Sequence, residues 1–221
     1  MIKDISVVLL GAGKSKRFDT NTLKQNVKIH DKRLIDYSVD FFRKHFNVSE
    51  KYFVIHKKIK LKTLTENEHI LYGSTSRLKS LNNCLNYISK NNLQTKYLLV
   101  HDVARPILNL ADIKKIIREI HKKVDGSTLG YPLTNAVKEV KNNTIYSNIH
   151  KSNLWSTFTP QIFKMEKLYH SVKECLNEKY DVDDDIEALL LNSLKCSMIM
   201  SSPTNIKVTY KSDINYIKKL L

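Results

Sequence analysis

Three cationic residues follow a glycine turn near the start of the chain. Gly11 and Gly13 interrupt an apolar run, and Lys14, Lys16 and Arg17 follow directly. A turn of this kind brings backbone N–H groups close to a ligand because no Cβ stands in the way. We therefore expect an anionic ligand, such as a phosphate group, at this turn.

Two phosphate-binding loops can be compared with this turn by their spacing. A Walker loop needs a glycine five residues before the Gly13-Lys14-Ser15 triplet, but that position holds Val8. The dinucleotide fingerprint G-x-G-x-x-G begins correctly at Gly11 but has Lys16 where its third glycine belongs. What remains is a cationic glycine turn followed by Lys24-Gln25. The alternative is a plain polar turn in a lysine-rich protein.

A carboxylate forms the second candidate site. Asp102 directly follows an apolar run that reads as a buried strand. Mg²⁺ typically takes one or two carboxylates together with substrate phosphates, so Asp102 is predicted to be a magnesium ligand, with an ion-pair partner or a cap as the alternative. The acidic segment Asp183 to Glu187 could add a second ligand, but the helix dipole already explains acids at a helix start and favours a structural role.

Two further polar residues accompany these candidates. His101 is predicted to be a structural hydrogen-bonding residue, because no Ser or Cys nucleophile has a recognisable setting in the sequence. Lys207 alternates with Ile206 and Val208 in a predicted strand, so its side chain should point to the face opposite theirs.

Alternating strands and helices must position these side chains. Apolar periodicity predicts strands at 5–10, 52–56, 70–72, 97–100, 127–131, 198–200 and 206–208, and helices at 34–45, 76–89, 112–124, 165–176, from 183 and at 213–221. This alternation predicts an α/β fold with an open, mostly parallel, Rossmann-like sheet and helices on both faces. Ligands of such sheets bind at the carboxyl ends of the strands, where the glycine turn and Asp102 both fall.

The period changes between residues 137 and 147. There the sequence reads as two short strands around an Asn-Asn turn. A hairpin of this size cannot bury itself, so we expect it to pack on a partner subunit or over the site. We therefore predict one domain over residues 1–221, with a protruding β-arm at about 137–155.

Composition narrows the function classes. The net charge of +15 invites a nucleic-acid-binding hypothesis, but the lysines are spread along the whole chain and no aromatic-and-arginine cluster accompanies them. Three of the six arginines, Arg17, Arg77 and Arg105, fall in the motifs discussed here. No apolar run approaches the length of a membrane span and no signal peptide is seen, which predicts a cytoplasmic protein. Three scattered cysteines indicate neither a disulfide framework nor a zinc site.

Six short motifs in the same order make the chain resemble the cytidylyltransferases that act on polyol phosphates, namely 2-C-methyl-D-erythritol 4-phosphate cytidylyltransferase and its relative ribitol-5-phosphate cytidylyltransferase. The matching segments are Gly11 to Phe18 (family pattern A-A-G-x-G-x-R-M/F), Lys24-Gln25 (K-Q), Gly73 to Ser80 (G-G-x-x-R-x-x-S), His101 to Pro106 (H-D-A-A-R-P), Thr159 to Gln161 (T-P-Q) and Asn205 to Thr209 (N-I-K-V-T). The resemblance implies a nucleotidyltransferase fold and a Mg²⁺-dependent, homodimeric enzyme that uses CTP.

The resemblance also implies roles for single residues. Arg17, Lys24 and Lys207 would stabilise the charge that builds on the α-phosphate, as in-line transfer between phosphates requires. Asp102 would hold Mg²⁺. The implied nucleotide-binding residues are Gly11, Ala12, Gly13, Gly73, Ser74, Arg77, Ser80, Asp102 and Val103, and the implied residues for the second substrate are Arg105, Ala136 and Lys151.

Departures from the family pattern concentrate in the segments that the resemblance assigns to the second substrate, here called the acceptor half. Asn135-Ala136 stands where the family has D-T, and Lys151 aligns with the arginine that in the family reaches from the arm into the neighbour's site. Gly11 and Ser15 are milder changes in the glycine turn. Methylerythritol phosphate is the first expectation for the acceptor, and ribitol 5-phosphate or another polyol phosphate is the alternative. A non-catalytic CTP-binding relative and a basic nucleic-acid-binding protein are the alternatives of another class.

Overall fold

A seven-stranded mixed sheet forms the centre of the molecule. The computed structural model describes residues 4–14, 17–19, 22–62, 64–91 and 93–221, so Ser15 and Lys16 of the glycine turn lie outside the described residues. The strands are β1 (Ile5–Gly11), β2 (Lys28–Ile29), β3 (Lys32–Arg33), β4 (Lys51–Ile55), β5 (Glu68–Tyr72), β6 (Tyr97–Asp102), β7 (Gly126–Pro132), β8 (Val137–Lys141), β9 (Thr144–Ile149), β10 (Trp155–Lys164) and β11 (Cys196–Met200). The helices are α1 (Leu34–His45), α2 (Arg77–Lys90), α3 (Leu110–Ile120), α4 (Met165–Asn177), α5 (Asp185–Leu191) and α6 (Lys211–Lys218), with a 3₁₀ turn at Lys24–Asn26.

The strand order places β1 near the middle of the sheet. The order is β11-β7-β10-β6-β1-β4-β5, and every neighbouring pair is parallel except those made by β10, which runs antiparallel to β6 and β7. Every residue of β1 is buried. The predicted open, mostly parallel α/β sheet is confirmed.

Two hydrophobic cores lie on opposite faces of this sheet, because successive residues of a strand point to opposite sides. Val7 and Leu9 pack with α1 and α3 on one face, whereas Val8 and Leu10 pack with α2, α4 and α5 on the other. This double burial explains why β1 is a continuous apolar run instead of an alternating one.

Capping residues set the helix boundaries that apolar spacing leaves open. The α1 bounds agree with the prediction, and Ser76 caps α2 by accepting a hydrogen bond from the backbone N–H of Lys79 at 3.1 Å. Helix α3 begins at Leu110, two residues before the predicted start, because the Asn109 side chain accepts the backbone N–H of Ala111 at 2.8 Å.

The predicted strand at 206–208 is wrong. Residues 201–209 form an irregular segment, here called the strap, that crosses the carboxyl ends of the strands. Single backbone hydrogen bonds hold it, from Ser201 N–H to Gly130 O and from Val208 N–H to Ala104 O, both at 2.8 Å. The apolar alternation arises because Val208 packs into a small separate core with Ile214 and neighbouring residues, not because a ladder forms.

The predicted hairpin forms as a separate two-stranded sheet of β8 and β9. Asn142 and Asn143 have φ angles of 50° and 62°, the left-handed conformation that a tight hairpin turn needs and that asparagine tolerates. Nearly every residue of both strands is exposed. We call residues 137–155 the arm.

The three cysteines are free thiols. Cys84 and Cys175 are buried, and Cys196 is half-buried. Within the described ranges, no helix is both long and apolar enough to cross a bilayer.

Candidate active site

One cavity of about 440 Å³ opens at the carboxyl ends of β1 and β6, beside the start of α2. Most of the residues singled out in the sequence line it, namely Gly11, Ala12, Gly13, Arg17, Lys24, Ser74, Arg77, Ser80, Asp102, Val103 and Lys207. Four others, Gly73, Arg105, Ala136 and Lys151, do not. The structure therefore gathers the predicted cations, the glycine turn and the predicted metal ligand around one space.

Two glycines allow the turn to lie close to its neighbours. A Cβ on Gly73 would stand 2.0 Å from the Cβ of Ala12, so only glycine permits this approach. A Cβ on Gly11 would stand 2.9 Å from Cγ2 of Val103. Because Gly11 and Val103 both replace alanines of the family pattern, the smaller residue at one position makes room for the larger one at the other.

Gln25 fixes the glycine turn from behind. Its side-chain amide donates to the carbonyl oxygens of Gly11 and Gly13, each at 2.9 Å, and only 2% of the residue is exposed. Both carbonyls are thus held on the side of Gln25. Gln25 was noted in the K-Q motif, but no role was predicted for it. Its position directly after a candidate catalytic lysine was the one feature of the sequence that indicated a role in the site.

Lys24 lies beside this turn and is tied to the strap. Its ammonium donates to the carbonyl oxygen of Val208 at 2.7 Å. Burial, and next the positive charge of Lys207, lower the pKa of Lys24 to about 8. Lys24 therefore loses part of its charge within the range of ordinary buffers unless an anion binds next to it.

The carboxylate of Asp102 is held between two cations. Nε of Arg77 donates to one oxygen at 2.9 Å, and Nζ of Lys207 donates to the other at 2.6 Å. Burial by itself would raise the pKa of Asp102, but the charges of Arg77 and Lys207 outweigh it and lower that pKa far below its usual value. Asp102 is therefore a permanent anion at neutral pH.

A second buried carboxylate lies behind Arg77. The two terminal nitrogens of the guanidinium donate to the oxygens of Asp185 at 2.5 and 2.8 Å, and the Asp185 side chain is fully buried. Burial raises the pKa of Asp185, and Arg77 opposes that rise. Asp185 was considered only as one of the possible metal ligands of the acidic segment, although its helical spacing from the apolar Leu189 placed it on the buried face of α5.

The acidic segment does not supply a second metal ligand in this arrangement. Asp184 caps α5 by accepting the backbone N–H of Glu187 at 2.9 Å, which is a structural role at the helix start. Asp185 is occupied by Arg77. No group of three or more His, Cys, Asp or Glu side chains arranged to hold a metal occurs in the part of the chain that the structure describes.

Thr159 joins Asp102 to His101 beneath the site. The Asp102 N–H donates to the Thr159 hydroxyl oxygen at 3.0 Å, and that hydroxyl lies 3.2 Å from Nδ1 of His101. The other ring nitrogen lies 3.1 Å from the carbonyl oxygen of Arg105. Burial lowers the pKa of His101 to about 3, so the ring is neutral and structural, as predicted.

Asn205 attaches the strap to the same network. The Asn205 side-chain amide donates to the backbone carbonyl oxygen of Thr159 at 3.0 Å. The backbone carbonyl oxygen of Asn205 accepts a hydrogen bond from the Arg105 guanidinium at 2.7 Å. Three of the short motifs are therefore parts of one hydrogen-bonded unit. This unit holds Lys207 over the cavity without a strand.

The three predicted acceptor residues lie elsewhere. The Arg105 guanidinium is packed over the ring of Phe158, with 5.4 Å from its central carbon to the ring centroid. Ala136 is exposed where the arm begins, and the Lys151 ammonium donates to the carbonyl oxygen of Thr134. A single chain does not bring these residues to the cavity, and their roles stay predictions.

The chemistry of the lining suits a polyphosphate. Arg17, Lys24 and Lys207 open onto the cavity, while Asp102 is the one acidic side chain that lines it among the described residues. The Ser80 hydroxyl is already engaged, since it accepts the N–H of Ser74 at 2.9 Å and donates to the carbonyl oxygen of Ser76 at 2.7 Å. An excess of cations without an activated nucleophile favours transfer between phosphate groups over acyl transfer.

Comparison with known proteins agrees with this geometry. The protein from Wigglesworthia glossinidia brevipalpis named 2-C-methyl-D-erythritol 4-phosphate cytidylyltransferase is 30% identical over 96% of this chain and 93% of its own length. A protein of the same name from Clostridioides difficile is 27% identical over 98% of this chain and 93% of its own length. The crystal structure of the Francisella tularensis enzyme of that name superimposes with a TM-score of 0.87 at 23% identity, covering 99% of this chain and all of that one.

The family model described as 2-C-methyl-D-erythritol 4-phosphate cytidylyltransferase matches residues 5–221, which is nearly the whole chain. Taken with the cation-lined cavity and the relatives above, this match shows that the chain belongs to the 2-C-methyl-D-erythritol 4-phosphate cytidylyltransferase family.

Proposed function

We propose that this chain transfers CMP from CTP to 2-C-methyl-D-erythritol 4-phosphate and releases pyrophosphate, a step in isoprenoid precursor synthesis. The observation that carries the proposal is the convergence of Arg17, Lys24 and Lys207 with Asp102 around one cavity. Ribitol 5-phosphate is the alternative acceptor, because Asn135, Ala136 and Lys151 depart from the family pattern in the acceptor half.

The reaction is an in-line displacement at phosphorus. A phosphate oxygen of the acceptor forms a bond to the α-phosphorus of CTP, and the bond from that phosphorus to the bridging oxygen of the β-phosphate breaks. The leaving electron pair goes to pyrophosphate. No protein nucleophile takes part, so the work of the chain is to align the two phosphates and to offset the charge that develops.

Each cation has a separate position for this task. Lys24 lies beside the glycine turn and Lys207 lies on the strap, so the two ammonium groups approach the cavity from different segments. Arg17 follows the turn itself. Charges fixed in place before the reaction stabilise the transition state without reorganising. We assign the α-phosphate to these three cations and the cytidine to the turn and the Ser74–Ser80 segment.

The donor set fits a magnesium ion that arrives with the triphosphate. Each oxygen of Asp102 accepts one hydrogen bond and keeps a second lone pair. One carboxylate is too little for a metal site made of protein alone, but Mg²⁺ commonly binds through one carboxylate plus substrate phosphates. When bound, the ion would neutralise phosphate charge, and Asp102 is the residue that would hold it.

The arm supports the proposal of a homodimer. Large apolar side chains on it are exposed, including Val140 at 56%, Ile145 at 65% and Tyr146 at 66%. A two-stranded hairpin alone is at best marginally stable in water, and exposed apolar side chains that cluster mark an interaction surface. A second copy of the chain would cover these side chains and bring Lys151 to a neighbouring site.

Pyrophosphate release tests the proposed reaction. We expect turnover with CTP and 2-C-methyl-D-erythritol 4-phosphate, and slower turnover with ribitol 5-phosphate or glycerol 3-phosphate. Lys24→Ala should lower kcat/KM by roughly 10²–10³-fold with an unchanged melting temperature, because a preorganised cation is lost. Lys28→Ala is the matched control, since Lys28 is exposed and does not line the cavity. CTP binding without turnover on any acceptor would contradict the assignment in favour of a non-catalytic relative.

The pKa of Lys24 gives a second test. Its value near 8 means that about half of the free protein carries neutral Lys24 at pH 8, whereas a bound triphosphate favours the ammonium form. CTP binding should therefore take up a proton at pH 8.0, and affinity should fall as pH rises above 8. Calorimetry in two buffers of different ionisation enthalpy measures this uptake. Lys24→Arg should abolish the proton uptake. Equal uptake by the native and Lys24→Arg proteins would show that Lys24 is not the group that takes up the proton.

Light scattering after size exclusion tests the homodimer. We expect twice the chain mass of 25.7 kDa. Val140 and Ile145 lie directly opposite each other on the arm, so Val140→Asp with Ile145→Asp should give monomers that bind CTP normally. The control carries Lys90→Asp with Lys123→Asp, two exposed positions outside the arm. A native protein that is monomeric at micromolar concentration would refute the proposal.

A further inference from the structure

Arg77 joins two buried carboxylates that come from different parts of the fold. Its Nε donates to Asp102, which lines the cavity, and its terminal nitrogens form a bidentate pair with Asp185 at the start of α5. Asp185 does not line the cavity. Its side chain is fully buried and paired with Arg77, so it does not touch a ligand in the cavity.

The charges of this group are balanced. Arg77 and Lys207 are the cations, and Asp102 and Asp185 are the carboxylates that face them. Burial raises the pKa of Asp185, but both of its oxygens accept hydrogen bonds from Arg77, which assigns the ionised form to it. If Asp185 were neutral, the whole charge of Arg77 would act on Asp102. The carboxylate would then be a weaker partner for a divalent cation, while the cavity would be more attractive to an anion.

We propose that Asp185 is a positioning residue that takes up part of the charge of Arg77 and so keeps Asp102 available to the divalent cation that accompanies CTP. The inference rests on the proposed function, because it concerns the metal site assigned there. Asp185 touches neither substrate nor metal and acts only through the guanidinium between the two carboxylates.

A purely structural role makes a different prediction. If the pair between Asp185 and Arg77 served only to fix α5 against α2, its loss would loosen the site and weaken binding of every ligand. The charge-sharing role predicts effects of opposite sign on anion and cation. The sign of the two effects therefore separates the hypotheses.

The test uses Asp185→Asn, which keeps the shape of the side chain and removes its charge. CTP binding without metal is measured by calorimetry in the presence of a chelator, and Mn²⁺ binding to the CTP complex is measured by electron paramagnetic resonance without acceptor. We expect metal-free CTP to bind at least as tightly as to the native protein. The Mn²⁺ concentration for half-saturation should rise about tenfold, because a nearby unit negative charge is lost.

Three further variants complete the design. Asp183→Asn removes the same charge from an exposed position in the same acidic segment and should leave both affinities unchanged. Asp185→Glu keeps the charge and should restore Mn²⁺ binding close to the native level. If Asp185→Asn does not fold, Asp185→Ser replaces it as a neutral variant that leaves room for water beside Arg77.

The outcomes distinguish this inference from the proposed function. A native protein that binds no CTP refutes the proposed function, and the inference falls with it. A native protein that binds CTP and Mn²⁺, together with unchanged Mn²⁺ affinity in the neutral variants, overturns the inference alone. Weaker binding of both metal-free CTP and Mn²⁺ also overturns it and assigns Asp185 a structural role.

Discussion

The carboxylate of Asp102 lies between two cations that come from distant parts of the chain. Arg77 reaches it from the start of α2, and Lys207 reaches it from the strap near the end of the chain. A buried carboxylate is costly unless it is paired, so this arrangement requires α2, β6 and the strap to meet. The site therefore exists only when these three segments are in place together. The hydrogen bonds of Thr159 and Asn205 hold β6 and the strap in this arrangement.

Residues from other segments of the chain also hold the glycine turn in place. Gln25 holds the carbonyls of Gly11 and Gly13. Gly73 leaves the space that Ala12 occupies. The family pattern has alanine where this chain has Gly11 and alanine where it has Val103, and the missing Cβ of Gly11 leaves room for one methyl group of Val103 in a close-packed interior. Close packing between these distant segments therefore fixes the position of the glycine turn.

The sheet, its helices and most of the cavity lining could be predicted from the sequence, since apolar periodicity reports directly on burial. The fully buried β1 and the spacing in α1 gave the sheet and its helices, and the motif resemblance gave the residues that line the cavity. The strap was misread because a single buried side chain, Val208, produces the same alternation as a strand. The pairing of Asp185 with Arg77 was missed because the two residues lie 108 positions apart in the chain. No local pattern reports a pairing of that kind.

We propose that one triphosphate lies among Arg17, Lys24 and Lys207, with Asp102 beside it. A crystal structure of the protein with CTP and Mg²⁺ tests this claim most directly. We expect the triphosphate within hydrogen-bonding distance of all three cations, the cytosine near Ser80, and the metal bound to Asp102 and phosphate oxygens. A triphosphate bound elsewhere on the molecule, or bound in this cavity with those cations turned away from it, would contradict the account.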